Sequence, residues 1–504
     1  MIEQFNQNKS RPRIDFRLIA GILGGLFFYL GISMLLPMLV ALVYGESSWS
    51  AFLITGAVTM AAGGIIFLKF RPVQELRMRE AFLIVTLTWF LGSLIGAFPF
   101  TLSGTLETYT DAVFETMSGF STTGATILGG MTSDGIQNPA IEELDKSLLF
   151  WRSLTHWLGG MGIIVLTLAL LPLLGIGGMQ LFQAEYSGST SDKLTPRIQE
   201  TAFLLWTVYM GMTGVQFLLL WVHPSMDWFE AINHSFSTLA TGGFSTQNAS
   251  VAGFDSVYVD VVITIFMFLA GINFAMHFRL FTGDTKSFFE NREIRFYSLL
   301  AVLFIAGVSG GLWLMDQYSI GDALRYGSFQ VVSILTTTGF GTDDYALWMP
   351  ISAFLLFLLF FTGGCAGSTG GGIKMIRLMI ITKNIGREFR QILHPQAIIP
   401  VRVGSRVIDS KILKTILGFF VMYLIIFAIG AIIMSFMGYD LVSAMGASIA
   451  CLGNIGPAWG DFGPTDHYAH VPYTGKWVLL ILMMIGRLEL FTVLVIFTPW
   501  FWKN

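Results

Sequence analysis

The chain has 504 residues, of which 54% are hydrophobic and only 12% are charged, and its formal net charge is −3 at pH 7. Soluble domains contain roughly 25% charged residues, and the mean hydropathy here is +0.68, so a soluble enzyme with an ordinary core is excluded. Two cysteines, Cys365 and Cys451, are too few for a disulfide framework and form no Cys-x-x-Cys metal motif. The 55 glycines exceed the average share and need a separate explanation.

Ten apolar segments are long enough to span a bilayer. The first, from Leu18 to Tyr44, follows a short basic segment and is too long for the apolar core of a signal peptide, so we expect it to be retained. The predicted spans are 18–44, 49–68, 81–102, 147–175, 200–222, 256–282, 296–315, 348–382, 412–437 and 476–501.

The basic residues indicate how these spans are oriented. Of the 29 Lys and Arg residues, 24 fall in alternate loops, namely 9–17, 69–79, 193–197, 279–295, 374–414 and 503. The positive-inside rule then predicts that both termini are cytoplasmic. By contrast, 19 of the 32 acidic residues lie on the opposite side, where they would raise the local cation concentration.

Four loops on the outer side contain a short apolar stretch that ends in a glycine turn. The stretches are FETMSGFSTTGAT (Phe114–Thr126), INHSFSTLATGGF (Ile232–Phe244), FQVVSILTTTGFG (Phe329–Gly341) and GASIACLGNIGPA (Gly446–Ala458). About 12 apolar residues cannot span a bilayer, which favours re-entrant segments. Aligned on one glycine each, they coincide at Gly124, Gly242, Gly339 and Gly456. A second glycine motif follows each turn in the next span: LGGM (158–161), LAGI (269–272), TGGC (362–365) and MIGR (484–487).

This repeat predicts a cation pore. Non-helical backbone at membrane depth is tolerated where it is buried in protein or lines a watery cavity, and rings of carbonyl oxygens replace the hydration shell of an alkali cation. The alternative is that the small residues serve close helix packing. The predicted ion-binding residues are Thr122, Thr123, Gly124, Ala240, Thr241, Gly242, Thr337, Thr338, Gly339, Asn454, Ile455 and Gly456.

The span after the third turn contains a glycine-rich interruption that six glycines prevent from being helical. A Walker A loop is disfavoured because Ile373 precedes Lys374 and no strand precedes the segment, and a dinucleotide motif fails for the same lack of a strand. The interruption consists of Gly363, Gly364, Cys365, Ala366, Gly367, Ser368, Thr369, Gly370, Gly371 and Gly372. We expect it to lie below the turns, across the conduction path.

Arg487 is an ionisable residue inside a predicted span, and such residues mark functional sites by default. It occupies the position in the fourth repeat that Cys365 occupies in the third, so we expect it to face the same cavity and to donate hydrogen bonds to loop carbonyls. Glu489, two residues later, is a weaker candidate partner. The alternative is a structural ion pair away from the pore.

With these residues the chain resembles the Trk/Ktr/HKT superfamily of cation transporters over its full length, and the two leading helices favour the bacterial Trk type. The resemblance implies an all-α polytopic membrane protein with two N-terminal helices and four helix–pore-helix–helix repeats around a pseudo-fourfold pore. It also implies that the four aligned glycines form the filter, that the loop 363–372 gates the pore and that Arg487 acts on the gate. Sodium-preferring plant relatives often have Ser at the first glycine, so Gly124 points to potassium; the turn 454–457 departs from the Thr-Gly pattern.

The resemblance further implies a homodimer in the bacterial inner membrane and a cytoplasmic TrkA-like nucleotide-binding ring that docks on the basic segment 383–414, which ordinary positive-inside charge also explains. The expected function is potassium uptake, with potassium as the only cofactor and no nucleic-acid partner. A secondary cation symporter, coupled to protons or sodium, and a sodium-permeable relative are the alternatives. No HExxH motif points to an enzyme. The predicted domains are 1–79, 80–198 (repeat 1), 199–293 (repeat 2), 294–410 (repeat 3) and 411–504 (repeat 4).

Overall fold

A computed structural model describes residues 14–71, 77–174, 198–315, 317–404 and 406–503. Nearly all regular structure in these residues is helical, which confirms the predicted all-α polytopic fold; a hairpin of two short strands, β1 (Arg402–Val403) and β2 (Arg406–Val407), is the exception among them. The basic residues of 193–197, and Lys9, Arg11 and Arg13 of the 9–17 cluster, lie outside the described residues.

The helices follow one another in the order that four repeats after a leading pair require. They are α1 (Phe16–Ser33), α2 (Leu35–Tyr44), α3 (Trp49–Lys69), α4 (Met78–Gly96), α5 (Phe98–Leu102), α6 (Tyr109–Phe120), α7 (Lys146–Leu174), α8 (Ile198–Trp221), α9 (Trp228–Leu239), α10 (Val257–Ala270), α11 (Phe274–Phe281), α12 (Thr285–Glu290), α13 (Arg292–Leu314), α14 (Ile320–Leu335), α15 (Pro350–Leu359), α16 (Met375–Leu393), α17 (Ser410–Phe436), α18 (Leu441–Gly453), α19 (Tyr473–Arg487), α20 (Leu490–Leu494) and α21 (Pro499–Trp502).

Six helical segments in the described residues are long and apolar enough to cross a membrane, and the number rises to eight if each of two bent helix pairs is counted as one span. The α10–α11 pair bends by 102° and the α19–α20 segment by 116°. The sequence prediction gives the ranges 256–282 and 476–501 without locating these bends. The predicted span 348–382 consists of α15 and the start of α16, with the glycine-rich segment between them.

The first two spans pack through glycines. A methyl group on Gly24 would lie 2.8 Å from the carbonyl oxygen of Gly63, so the backbones of α1 and α3 touch directly. Close approach through small residues is the usual way in which membrane helices associate. The predicted domain boundaries at 80, 294 and 411 fall one or two residues inside α4, α13 and α17.

Each repeat contains a short helix that begins with a side-chain cap and ends at a predicted turn. The caps satisfy backbone N–H groups that a helix leaves unpaired in its first turn. The capping residues are Thr108 for α6, Asp227 for α9, Ser319 for α14 and Asp440 for α18. The short helices therefore start at defined residues, which fixes where each turn begins.

Candidate functional site

The four turns that follow the short helices share one backbone conformation. Each has a first residue in the left-handed region: φ is 51° at Thr122, 55° at Thr241, 61° at Thr337 and 56° at Asn454. Two residues later each has a glycine with positive φ: 81° at Gly124, 79° at Gly243, 82° at Gly339 and 97° at Gly456. Glycine is the residue that adopts this region without steric cost.

Backbone hydrogen bonds set the register of the turns. In every turn the residue between the two left-handed positions donates its N–H to the carbonyl five residues earlier. The pairs are Thr123 to Ser118 at 2.9 Å, Gly242 to Ser237 at 2.8 Å, Thr338 to Ser333 at 2.8 Å and Ile455 to Ala450 at 2.9 Å.

The predicted alignment of the second turn is therefore wrong by one residue. Gly242 is equivalent to Thr123, and Gly243 is equivalent to Gly124. Thr241 then corresponds to Thr122, and Ala240 ends its helix as Ser121 does. The sequence could not separate two adjacent glycines, whereas the backbone does, since only the second of them has positive φ.

The turns form a closed ring in which each glycine faces the next turn. A methyl group on the glycine would collide with a carbonyl oxygen at every junction: 2.2 Å from Gly124 to Gly242, 2.1 Å from Gly243 to Thr338, 1.8 Å from Gly339 to Ile455 and 2.5 Å from Gly456 to Thr123. Real side-chain carbons do not approach so closely. Two separate reasons therefore require glycine at these four positions. The backbone has positive φ, and a side chain would collide with a carbonyl oxygen of the next turn.

The fourth turn differs in sequence but is tied into the same ring. Asn is one of the few residues other than glycine that adopt the left-handed region readily, which suits Asn454. Its Nδ2 donates to Thr123 Oγ1 at 3.0 Å and to Met483 O at 2.8 Å, so it links the fourth turn to the first. The hydroxyl of Tyr468 donates to Gly456 O at 2.7 Å.

The glycine-rich segment, 363–372, lies against the inner ends of the short helices. Thr369 Oγ1 donates to Leu239 O at 2.9 Å, and the Gly371 N–H donates to Thr337 Oγ1 at 2.6 Å. A methyl group on Gly371 would also lie 2.6 Å from Gly453 O. The loop therefore contacts the second, third and fourth repeats where their short helices end.

The loop is held by the break in repeat 2. The Cys365 N–H donates to Gly271 O at 2.8 Å, and the Phe274 N–H donates to Gly367 O at 3.1 Å, so the loop occupies the gap between α10 and α11. The buried Glu293 Oε1 accepts from Ala366 N at 2.8 Å and Ile376 N at 3.0 Å. Sequence patterns did not single out Glu293, although a carboxylate at the start of an apolar span is a signal that could have.

Arg487 joins the loop to repeat 1. Its Nη1 donates to Thr369 O at 2.5 Å and its Nη2 to Gly159 O at 3.1 Å, and the side chain is buried. The sequence predicts such hydrogen bonds to loop carbonyls. Glu489 is not its partner; Glu489 Oε2 accepts from Arg377 at 2.6 Å, on the helix that follows the loop. Lys374 Nζ, another cation near the loop, donates to Gly370 O.

Comparisons with known proteins identify the family. Residues 48–503 match the TrkH family, described as a cation transport protein. The chain belongs to this family. It is 41% identical to the Trk system potassium uptake protein TrkH of Escherichia coli strain K12, over 97% of this chain and 100% of that protein, and 40% identical, with the same coverages, to the protein of that name from Halomonas elongata. The crystal structure of the potassium transporter TrkH from Vibrio parahaemolyticus superimposes with a TM-score of 0.88 at 37% identity, over 97% of this chain and 100% of that one.

Membership of the TrkH family confirms the resemblance to the Trk/Ktr/HKT superfamily and the fold expected from it. The chain is therefore a multi-pass membrane protein, and its relatives are transporters. The assignment of individual residues to filter and gate stays a prediction.

Proposed function

We propose that this protein takes up potassium through the ring of four turns. The closed ring carries the proposal, because four segments with three different sequences adopt one backbone around a common centre. Proteins that are about 40% identical over their whole length are potassium uptake proteins of the Trk system, which supports the same ion here.

The turns suit a cation because of their alternating handedness. The first and third residues of each turn have positive φ and the residue between them does not, and we propose that this alternation directs carbonyl oxygens toward the centre of the ring. Carbonyl oxygens arranged in this way replace the hydration shell of potassium. The proposed ligands are the backbone oxygens of 122–124, 241–243, 337–339 and 454–456, with Gly243 in place of Ala240 from the sequence prediction. The membrane potential supplies about 2.3 kcal/mol per charge per 100 mV for entry.

The loop 363–372 is proposed as the gate. It contacts the inner ends of three short helices, and Arg487 ties it to the fourth repeat's own helix and to Gly159 of the first. A segment held by hydrogen bonds to all four repeats obstructs a path that runs through their centre. Conduction would then require these bonds to break, which gives a regulator a defined target.

A cytoplasmic partner is proposed at the helix that follows the gate. Lys383, Arg387 and Arg390 lie on α16, which starts three residues after the loop ends. A nucleotide-binding ring of the TrkA type bound here would be coupled to the loop through one helix. The proposed setting is a homodimer in the bacterial inner membrane with both termini cytoplasmic, as the distribution of basic residues favours.

Reconstituted flux tests the proposal. Proteoliposomes with the wild type are expected to take up potassium and rubidium faster than sodium and lithium, and Gly124→Ser is expected to narrow that difference. The proposal fails if the wild type passes none of the four ions. Uptake that requires an imposed proton or sodium gradient would instead identify a symporter.

A further inference from the structure

A buried ion pair lies directly behind the first turn. Glu115, on α6, and Arg152, on α7, are joined by a hydrogen bond of 2.8 Å from Arg152 Nε to Glu115 Oε1, and their side chains are 0% and 2% exposed. The carboxylate also accepts from Thr126 Oγ1 at 3.0 Å and from Ile127 N at 3.0 Å. Glu115 therefore holds the chain immediately after Gly124.

Arg152 extends this support to the second turn. Its Nη1 donates to Ser245 O at 3.0 Å, and its guanidinium lies 4.1 Å from the centre of the Phe244 ring. Phe244 directly follows Gly243 and stacks on His156, one helical turn from Arg152, with 4.1 Å between ring centres. One guanidinium thus contacts the segments that leave two adjacent turns of the ring.

The equivalent position differs in the other repeats. Nine residues before the left-handed glycine stand His234 in repeat 2, Gln330 in repeat 3 and Ala447 in repeat 4. Gln330 Nε2 donates to Asp343 O at 3.3 Å, and His234 Nε2 lies 3.0 Å from Ser245 Oγ. The segment after turn 3 is thus held by a neutral amide, and Ala447 offers turn 4 no side-chain hydrogen bond, whereas turns 1 and 2 share a charged pair.

We propose that Glu115 and Arg152 are positioning residues that fix the spacing of turns 1 and 2 and thereby help to exclude cations smaller than potassium. A smaller ion is held only if the carbonyls move closer together. The guanidinium is a planar, rigid fork that makes several directed hydrogen bonds at once, so it opposes that movement. This inference rests on the proposed potassium pathway through the ring.

Burial of the pair makes a purely stabilising role a poor explanation. Removing two charges from water costs as much as their attraction returns, and apolar residues of similar volume often stabilise a protein better. The best supported use of such a pair is to specify geometry. For Glu115 and Arg152, the geometry to be specified is the distance between turns 1 and 2 of the ring.

The experiment compares Arg152→Gln and Arg152→Lys with Arg325→Gln as the matched control. Arg325 forms a comparable ion pair, 2.6 Å to Asp260, but it joins the start of α14 to α10 and contacts no turn of the ring. Sodium and potassium fluxes are measured in proteoliposomes, together with the unfolding temperature in detergent. We expect the sodium-to-potassium flux ratio to rise at least about threefold in Arg152→Gln, with the control ratio equal to that of the wild type.

Arg152→Lys separates positioning from stability. Lysine keeps the charge opposite Glu115, so the unfolding temperature should return toward the wild type, but it lacks the fork that reaches Ser245 O and Phe244 together. We expect its flux ratio to stay raised. If Arg152→Gln does not fold, Arg152→Lys decides alone: a raised ratio supports the proposal, and a wild-type ratio overturns it.

The inference is overturned if Arg152→Gln lowers both fluxes in parallel with an unchanged ratio, or if Arg325→Gln shifts the ratio equally. Neither result would count against the pathway, because the wild type would still prefer potassium. The proposed function would be contradicted by a different result, namely a wild type that shows no preference for potassium.

Discussion

The four turns share one backbone conformation although their sequences differ, whereas the four helices that follow them differ in conformation although each carries a glycine motif. The turns have three different sequences, Thr-Thr-Gly at 122–124 and 337–339, Thr-Gly-Gly at 241–243 and Asn-Ile-Gly at 454–456, yet one conformation. The helices all carry a glycine motif, yet α7 is continuous over 29 residues, two others bend by 102° and 116°, and the third-repeat helix opens into a loop.

Contacts explain the difference. Each turn is fixed by the next one around the ring, so none can depart from the common backbone without moving a neighbour. The helices meet different partners: the α10–α11 break receives the loop, and the end of α19 presents Arg487 to it. In the proposed pathway, an ion at the centre of the ring would need four equivalent turns around it, whereas one segment would be enough to close the path.

The largest expected effect comes from breaking the ring at Gly339. In Gly339→Ala the methyl group would meet Ile455 O at 1.8 Å, and φ of 82° would strain any residue with a side chain. We expect rubidium uptake to fall by about a hundredfold or more. Gly341→Ala is the matched control, because its methyl group would lie 3.7 Å from Pro464 Cβ, an ordinary contact. Equal uptake by the two variants would contradict the ring.

The next largest effect is expected from variants that test the register of the second turn. A methyl group on Gly242 meets the His156 side chain, 2.3 Å from Nδ1, whereas one on Gly243 meets the backbone oxygen of Thr338 at 2.1 Å. Both Gly→Ala variants should lose uptake, by about tenfold or more. Adding His156→Ala should restore uptake to Gly242→Ala but not to Gly243→Ala. Rescue of the Gly243 variant instead would support the alignment on Gly242.

The sequence predicted the ring better than it predicted the helices below it. A turn after a short capped helix leaves a local pattern, and three of the four aligned glycines have the equivalent conformation. The bends at 271–273 and 488–489 could not be predicted because they depend on a loop about a hundred residues away in sequence. The role of Glu293 could not be predicted for the same reason, since it accepts hydrogen bonds from the backbone N–H groups of Ala366 in that loop and of Ile376 just after it.

A smaller effect is expected from Arg487→Ala, which acts on the asymmetric part of the molecule. The variant removes hydrogen-bond donors from Thr369 O and Gly159 O, and bonds to a charged group contribute about 1.5–3 kcal/mol each. We expect potassium uptake without a cytoplasmic partner to rise about tenfold, with the fold intact by thermal unfolding. Unchanged flux would contradict a role of Arg487 in gating; Arg325→Ala, which removes an arginine remote from the loop, is the control.

The smallest effect is expected from Glu293→Gln. The amide oxygen can still accept from Ala366 N and Ile376 N, but it loses the extra strength that a charge gives such bonds. Partner-independent uptake should therefore rise only about twofold to threefold, measured beside Glu290→Gln, an exposed glutamate three residues earlier. A rise in Glu293→Gln as large as that in Arg487→Ala would mean that the loop is held mainly by Glu293, at the start of α13. In the proposed pathway, the ring would then have four similar turns, while the loop that closes the path would depend on contacts from one helix.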